Sequence, residues 1–391
     1  MKVCFETFGC RLNKAEALQM EADYLARGWE LTTRHADAHL IIVRGCSVTS
    51  RAQADCERLI AHLRHRYPQI PIRVCGCLKR KQSATGAKGA TPPKGTAAPL
   101  ALPTRTARAY LKVQDGCAGK CTFCIVPKFR GESRSEGFAF LLDRARQFID
   151  AGYHEIVVTG CNLALYASEG KRLPDLVSAL AGLDAGCRIR LGSVEPGACA
   201  QETIHAMAEK ANVCRFLHLP IQSGADKVLF AMRRPYSVKD VEQTVKLATE
   251  LMPGLGLGCD LMTGFPGESE LEFAATQGLL RRLPFSNAHI FPFSARPETV
   301  AAGLPSQNSR TLRAIRAHEL SKIVAKKRQK FAHSFFGKTV EIVVEDAKTG
   351  RGWTSEYLPC EPIAGTFTRK SLLRLLVTKT ADGLLQGRPL K

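Results

Sequence analysis

The chain has 391 residues, 45% of them hydrophobic and 24% charged, with a formal net charge of +20 and 15 cysteines. That balance excludes a disordered or collagen-like chain and leaves room for two or three domains, and the lack of any run near ~18 apolar residues excludes a membrane-spanning helix. The charge favours a polyanionic partner such as nucleic acid, and the odd cysteine count argues against a disulfide framework and for metal or catalytic use.

The opening "MKVCFETFGC" has neither the basic start nor the apolar run of a signal peptide, so a cytoplasmic location is expected. "KVCFET" (2–7) reads as a strand leading to Cys10, "AHLIIV" (38–43) as one running into Cys46, and "PIRVC" (71–75) as one running into Cys77. Helical patterns at 14–27 and 50–66 lie between them. This βαβαβ order predicts a parallel sheet with right-handed crossovers. Loops after parallel strands gather at one sheet edge, which makes Cys10, Cys46 and Cys77 neighbours. The first domain is placed at 1–80. Residues 78–108 are rich in Lys, Gly, Ala, Thr and Pro and lack periodicity, so 81–108 is read as a flexible linker.

Strand-like runs then recur at 109–114, 155–159, 188–193, 215–221, 256–263 and 286–293. The clearest helix between them is 237–252, with Val238, Val241, Val245, Ala248 and Met252 on one face and Ser237 as N-cap. Six βα units predict an open barrel within a domain at 109–335. Its tail, 310–330, carries eight basic residues and one acidic. As a helix it would line Arg313, Arg316, Lys326, Lys327 and Lys330 along a phosphate-facing side. Residues 336–391 read as short strands with Gly and Asp turns, a small β domain of the kind that binds oligonucleotides.

The first barrel strand leads into "GCAGKCTFC", a C-x3-C-x2-C loop of Cys117, Cys121 and Cys124. Three thiolates can hold three corners of an iron–sulfur cubane and leave the fourth iron open to an amine and a carboxylate of a small molecule. A closed zinc site needs a fourth ligand, and no His or Cys occurs in the 20 residues after Cys124.

These residues resemble the radical S-adenosylmethionine enzymes. The motifs "FGCRLN", "RGCSVT", "LKVQDGCAGKCTFCIVPKFRGESRS", "HLPIQSG", "MRRPY", "GFPGE" and "FPFSARPET" resemble the methylthiotransferase family over nearly the whole chain. The resemblance implies an α/β architecture: an N-terminal βαβ cluster domain, an open (β/α)6 radical barrel, and a small C-terminal TRAM-like β domain that holds RNA. It implies two [4Fe–4S] clusters, with Cys117, Cys121 and Cys124 on the radical cluster and Cys10, Cys46 and Cys77 on an auxiliary one. Cys75 is a rival for the last position. It lies inside its strand, whereas Cys77 follows Gly76 in the loop, as the family's Gly-Cys does. Cys4, Cys56, Cys161, Cys187, Cys199, Cys214, Cys259 and Cys360 read as core or incidental thiols.

Strand-end positions are the candidates to bind S-adenosylmethionine: Gly160, Ser193, Glu195, Gln222, Ser223 and Arg234, with Gly264 and Glu268 of "GFPGE" beside them. Each is otherwise a turn residue or a structural hydrogen bond. No catalytic side chain is singled out. The activity implied is methylthio insertion at C2 of N6-threonylcarbamoyladenosine in tRNA, at position 37, 3′ of the anticodon. "GCRLN" is closer to the G-C-K-V-N of that branch than to the G-C-Q-M-N or G-C-P-K-N of the isopentenyl-adenosine and ribosomal-protein branches. A non-enzymatic iron–sulfur RNA-binding protein is the alternative outside enzymology. The expected partners are tRNA and a reductant such as a flavodoxin or ferredoxin, with the protein itself a monomer. One departure is the interval of 40 residues between Cys77 and Cys117, shorter than the family pattern.

Overall fold

A computed structural model describes residues 1–46, 50–78 and 106–390. The N-terminal unit consists of β1 (Lys2–Thr7), α1 (Arg11–Ala26), β2 (Glu30–Thr32), β3 (Leu40–Gly45), α2 (Ser50–Arg66) and β4 (Ile72–Gly76). The sheet order is β2-β1-β3-β4, all parallel. Strand alternation sorts the two faces. Val3, Phe5 and Ile42 pack toward Met20 and Tyr24 of α1, whereas Cys4, Ile41 and Val43 pack toward Cys56, Ile60 and Leu63 of α2. The sheet gains an edge strand, β2, that the sequence reading lacked. The stretch read as linker, 81–108, lies outside the described residues up to 105. Ala107 and Arg108 at its end are buried.

The barrel begins with β5 (Ala109–Lys112), followed by β6 (Gln114–Asp115), α3 (Val126–Arg130), β7 (Arg134–Ser135) and α4 (Phe138–Asp150). Next come β8 (Glu155–Thr159), the small hairpin β9 (Ala167–Ser168) and β10 (Lys171–Arg172), α5 (Leu173–Ala181), β11 (Arg188–Leu191) and α6 (Ala198–Ala208). It closes with β12 (Phe216–Gln222), α7 (Asp226–Ala231), α8 (Val238–Leu251), β13 (Gly256–Thr263), α9 (Glu270–Arg282), β14 (Asn287–Pro292) and α10 (Arg310–His333). Two parallel sheets, β5-β8-β11 and β12-β13-β14, meet at the bridges Ile189–Val213 and Ser193–His218. The result is the expected six-stranded open barrel. Ser237 caps α8 in a capping box with Asp240, as its spacing predicted. Helix α1 runs along the open edge beside β5. Its Ala15 packs with Tyr110 and Val157, and its Leu18 joins the main barrel core.

The phosphate-facing stripe expected on α10 is corrected by the packing. Arg316 is buried and bonds Glu268 at 2.8 Å and Glu270 at 3.1 Å. The Lys327 ammonium donates to the carbonyls of Leu280, Arg281 and Leu283 at the end of α9, where the helix dipole favours a cation. Arg313 donates to Phe293 O at 2.9 Å. Of the five, only Lys326 and Lys330 are exposed.

The last unit is a closed barrel, β15-β16-β17-β19-β18, formed by β15 (Thr339–Val344), β16 (Gly352–Thr354), β17 (Pro359–Pro362), β18 (Leu372–Ala381) and β19 (Leu384–Pro389). It docks where the barrel strands begin. Arg188 donates to the carbonyls of Glu341 and Trp353, and Arg190 to those of Thr354 and Ser355, all at 2.9–3.1 Å. Tyr357 stacks on Phe216 and Trp353. Glu155, fully buried, sits among Arg190, Arg188 and Arg108. Burial pushes its carboxyl up, but Arg190 and Arg188 outweigh that and hold it well below the usual carboxylate range. Its folded value lies below the ~4.3 of an unfolded glutamate, so this stabilisation is present above that pH and lost as pH falls. Glu155→Gln should lower unfolding free energy by about 3–5 kcal/mol, because it strands buried guanidinium charge. Urea denaturation at pH 7 checks this, and a midpoint unchanged from wild type refutes it. Among the described residues no helix is long and apolar enough to cross a membrane.

Candidate functional site

The three strand-end turns of the N-terminal sheet meet at one edge. Cys10 is the N-cap of α1, Cys46 follows β3, and Cys77 follows β4, with its N–H on Gly45 O at 3.1 Å. Two glycines permit the convergence. Gly9 (φ +93°) would put a Cβ 2.8 Å from Cys46 Cβ, and Gly76 (φ +84°) would put one 2.7 Å from Gly45 O. Cys10 is exposed, while Cys46 and Cys77 are buried. Cys75 sits within β4 on the α1 face, its Sγ 3.6 Å from Arg44 Nη1, so it points away from this edge. Cys56 comes closer than its sequence position suggests, with its Sγ accepting from Cys46 N at 3.4 Å.

The second trio lies on the loop between β6 and α3. Gly119 N donates to Cys117 Sγ at 3.3 Å, and Arg234 Nη1 donates to Cys121 Sγ at 3.0 Å. Burial pushes the Cys124 thiol up to about 11 and also raises Cys117. The donor set fits an iron–sulfur group, since N–H donors on the sulfurs offset thiolate charge. Neither trio is among the described groups whose three ligand atoms lie within 4.8 Å of one another, the crowding that a single ion demands.

Two residues that the sequence reading did not single out build the base of this loop. Gln114 is fully buried. Its Nε2 donates to Gly116 O (2.7 Å) and Ser133 Oγ (2.9 Å), and its Oε1 accepts from Asn162 N (2.9 Å). Gly160 is needed here because a Cβ would come 3.0 Å from Gln114. Arg130, at the end of α3, joins the two trios. Its Nε donates to Cys77 Sγ at 3.3 Å and its Nη1 to Asp115 Oδ1 at 3.0 Å, next to the loop. It also bonds Glu16 at 2.9 and 3.1 Å and Asn13 at 3.0 Å. Burial raises the Glu16 and Asp115 carboxyls, but Arg130 and its neighbouring cations bring both below the ordinary carboxylate range. The Arg130 contacts with Glu16 and Asn13 span more than 100 residues of sequence, beyond the reach of any local pattern.

Of the strand-end candidates, Glu195 and Arg234 come together as an ion pair beside Cys121. Asn162 donates to Glu195 at 2.8 Å, and Arg234 Nε donates to the Tyr236 hydroxyl at 2.8 Å. Gln222 is buried in left-handed backbone (φ +62°), and its Oε1 has no hydrogen-bond partner among the described residues. Ser193 is exposed. Ser223 does not join the group: its hydroxyl accepts from Ala225 N at the start of α7 and meets Thr276 of α9. Gly264 and Glu268 belong to the α10 contact, Glu268 accepting from Gly264 N and Arg316.

The sequence pattern of the Radical SAM superfamily matches residues 111–280, and that of the uncharacterized protein family UPF0004 matches residues 2–91. The chain is 30% identical to the threonylcarbamoyladenosine tRNA methylthiotransferase MtaB of Bacillus subtilis (strain 168), over 88% of this chain and 85% of that protein. It is 29% identical to a tRNA-2-methylthio-N(6)-dimethylallyladenosine synthase of Cereibacter sphaeroides, over 99% and 98%. In fold it is similar to the radical S-adenosylmethionine methyltransferase TsrM from Kitasatospora setae, with a TM-score of 0.56 at 14% identity over 77% of this chain and 76% of that one.

Proposed function

The chain belongs to the radical S-adenosylmethionine methylthiotransferase family, and on that premise we propose that it inserts a methylthio group at C2 of N6-threonylcarbamoyladenosine in tRNA. The observation that carries the reading is Arg130, one side chain that bonds Cys77 of the first trio and Asp115 at the root of the second. On this assignment a sulfur-donating centre would stand next to the centre that activates the substrate carbon. When bound, the two clusters and S-adenosylmethionine supply the electron, the hydrogen-abstracting fragment, the sulfur and the methyl group.

The chain's own residues bind and orient. Cys117, Cys121 and Cys124 hold the radical cluster, and Cys10, Cys46 and Cys77 the auxiliary one. The Arg234–Glu195 pair offers complementary charges to the carboxylate and amine of S-adenosylmethionine. Gln222 offers a free acceptor, Gly160 packs against Gln114, and Ser193 is exposed just after β11. The branch rests on Arg11 of "GCRLN". Its Nη1 donates to Leu191 O at the end of β11 at 3.3 Å and its guanidinium lies over Tyr357. A cation there suits the carboxylate of a threonylcarbamoyl group, whereas an isopentenyl group gives it no partner. The +20 charge and the closed C-terminal barrel suit tRNA.

Mass spectrometry of tRNA nucleosides from cells lacking the protein tests this. The 2-methylthio form of threonylcarbamoyladenosine should disappear. Loss of the isopentenyl analogue instead overturns the branch. Iron analysis of the purified chain should give about eight irons, one cubane per trio; zinc without iron would sink the enzyme reading.

A further inference from the structure

Three side chains meet on the inner face of the barrel's second half: His218 on β12, Asp260 on β13 and His289 on β14. His218 Nε2 is 3.0 Å from Asp260 Oδ1, and His289 Nδ1 is 3.2 Å from the same oxygen. All three ligand atoms lie within 4.8 Å of one another. Strand alternation accounts for the meeting. Leu217, Leu219, Leu257, Cys259 and Leu261 face the helices and enter the main core, which turns the residues between them inward. Asp260 pairs directly with His289 across the ladder, and His218 pairs with Gly258. At Gly258 any Cβ would come 2.6 Å from His218 Nδ1, so glycine lets the imidazole lie over the neighbouring strand.

Asp260 takes both of its side-chain contacts here from imidazoles. Among the described residues its ion-pair partners are these two histidines; no lysine or arginine reaches it. His289 is 63% exposed at the open edge strand, yet it turns its ring onto the carboxylate. Two imidazoles and a carboxylate, each about 2.1 Å from one ion, would stand about 3.0–3.4 Å apart; the two nitrogen–oxygen separations, 3.0 and 3.2 Å, fall in that range.

We propose that His218, Asp260 and His289 form a binding site for a divalent first-row transition-metal ion, with nitrogen and oxygen ligands only and open positions facing the barrel interior. Its chemistry separates it from the cysteine trios, since no thiol takes part. The ion would also fasten the edge strand β14 to β12 and β13.

The test titrates cluster-loaded full-length protein, whose trio cysteines are occupied, with zinc by calorimetry and with cobalt(II) by visible spectroscopy. Wild type should bind one equivalent that His289→Ala binds at least ~30-fold more weakly, a loss in the range seen when metal sites are disturbed. His289 is exposed, so its replacement spares the core; Asp260→Asn, which keeps the side chain's shape, is the second variant and should weaken binding similarly. The cobalt spectrum should lack sulfur-to-metal charge transfer. Equal zinc affinity in wild type and both variants, or a thiolate spectrum for the bound equivalent, overturns the proposal. Neither result depends on methylthio product, so failure here is distinct from failure of the proposed activity.

Discussion

Cys117→Ala should abolish both 5′-deoxyadenosine release and methylthio product, whereas Cys46→Ala should leave deoxyadenosine release and reduce product to background. The asymmetry follows from the two addresses. Cys117 shares the loop between β6 and α3 with Cys121 and Cys124, beside the Arg234–Glu195 pair assigned to S-adenosylmethionine. Cys46 lies on the N-terminal sheet edge, with Gly9 folded over its side chain. On the proposed assignment a lost ligand there would remove the sulfur supply and leave cofactor cleavage its own site. Two neighbouring thiols are the controls. Cys75→Ala and Cys56→Ala should both retain product, because Cys75 points to the α1 face and Cys56 belongs to the α2 core. Product lost in Cys75→Ala but kept in Cys77→Ala would exchange their roles. Product retained in Cys46→Ala would dissolve the auxiliary trio altogether. Liquid chromatography with mass detection of both small products reads all five variants.

Arg130→Met should cut methylthio product on the order of 10²-fold while deoxyadenosine release falls much less, the size of loss expected from a misplacement of about 1 Å. The side chain is 9% exposed and bonds Asn13, Glu16 and Cys77 of the first unit and Asp115 of the second. Its removal leaves Glu16 and Asp115 less compensated, so the units part where their sites face each other. Arg130→Lys keeps the charge and loses the planar fork, and it should recover only part of the coupling. The readout is the ratio of methylthio product to deoxyadenosine. A ratio equal to that of wild type in Arg130→Met would show that the geometry between the trios does not depend on this residue.

The sequence foretold what is periodic and little of what is long-range. The six barrel strands emerge because each buried run alternates with a helix of 3.6-residue period, and Ser237 announces α8 because capping is local. The three strand-end cysteines were legible for the same reason. Strand β2 was not, since Glu30–Thr32 is too short to show alternation. Arg130 and Gln114 read as an ordinary loop arginine and a strand glutamine, because their partners are chosen by tertiary packing. Charge misled on α10. There, Arg316 and Lys327 look solvent-bound by composition, but their long stems carry the charged heads to buried glutamate and helix-end carbonyls. Ser223 misled in the opposite direction, a polar strand-end residue whose hydroxyl serves a helix start.

The way α1 lies along β5 bears on how the chain is made. Ala15 and Leu18 leave the ribosome early, but Tyr110 and Val157, which pack with Ala15, and the barrel core that Leu18 joins come more than 90 residues later. At the usual 5–20 residues per second, roughly ten seconds pass before that face of the helix is covered. The N-terminal sheet can fold in that interval, since its own core needs nothing beyond Leu78. The exposed side of α1 cannot, and it gives the nascent chain an apolar strip that a holding chaperone would recognise until the first barrel strands arrive.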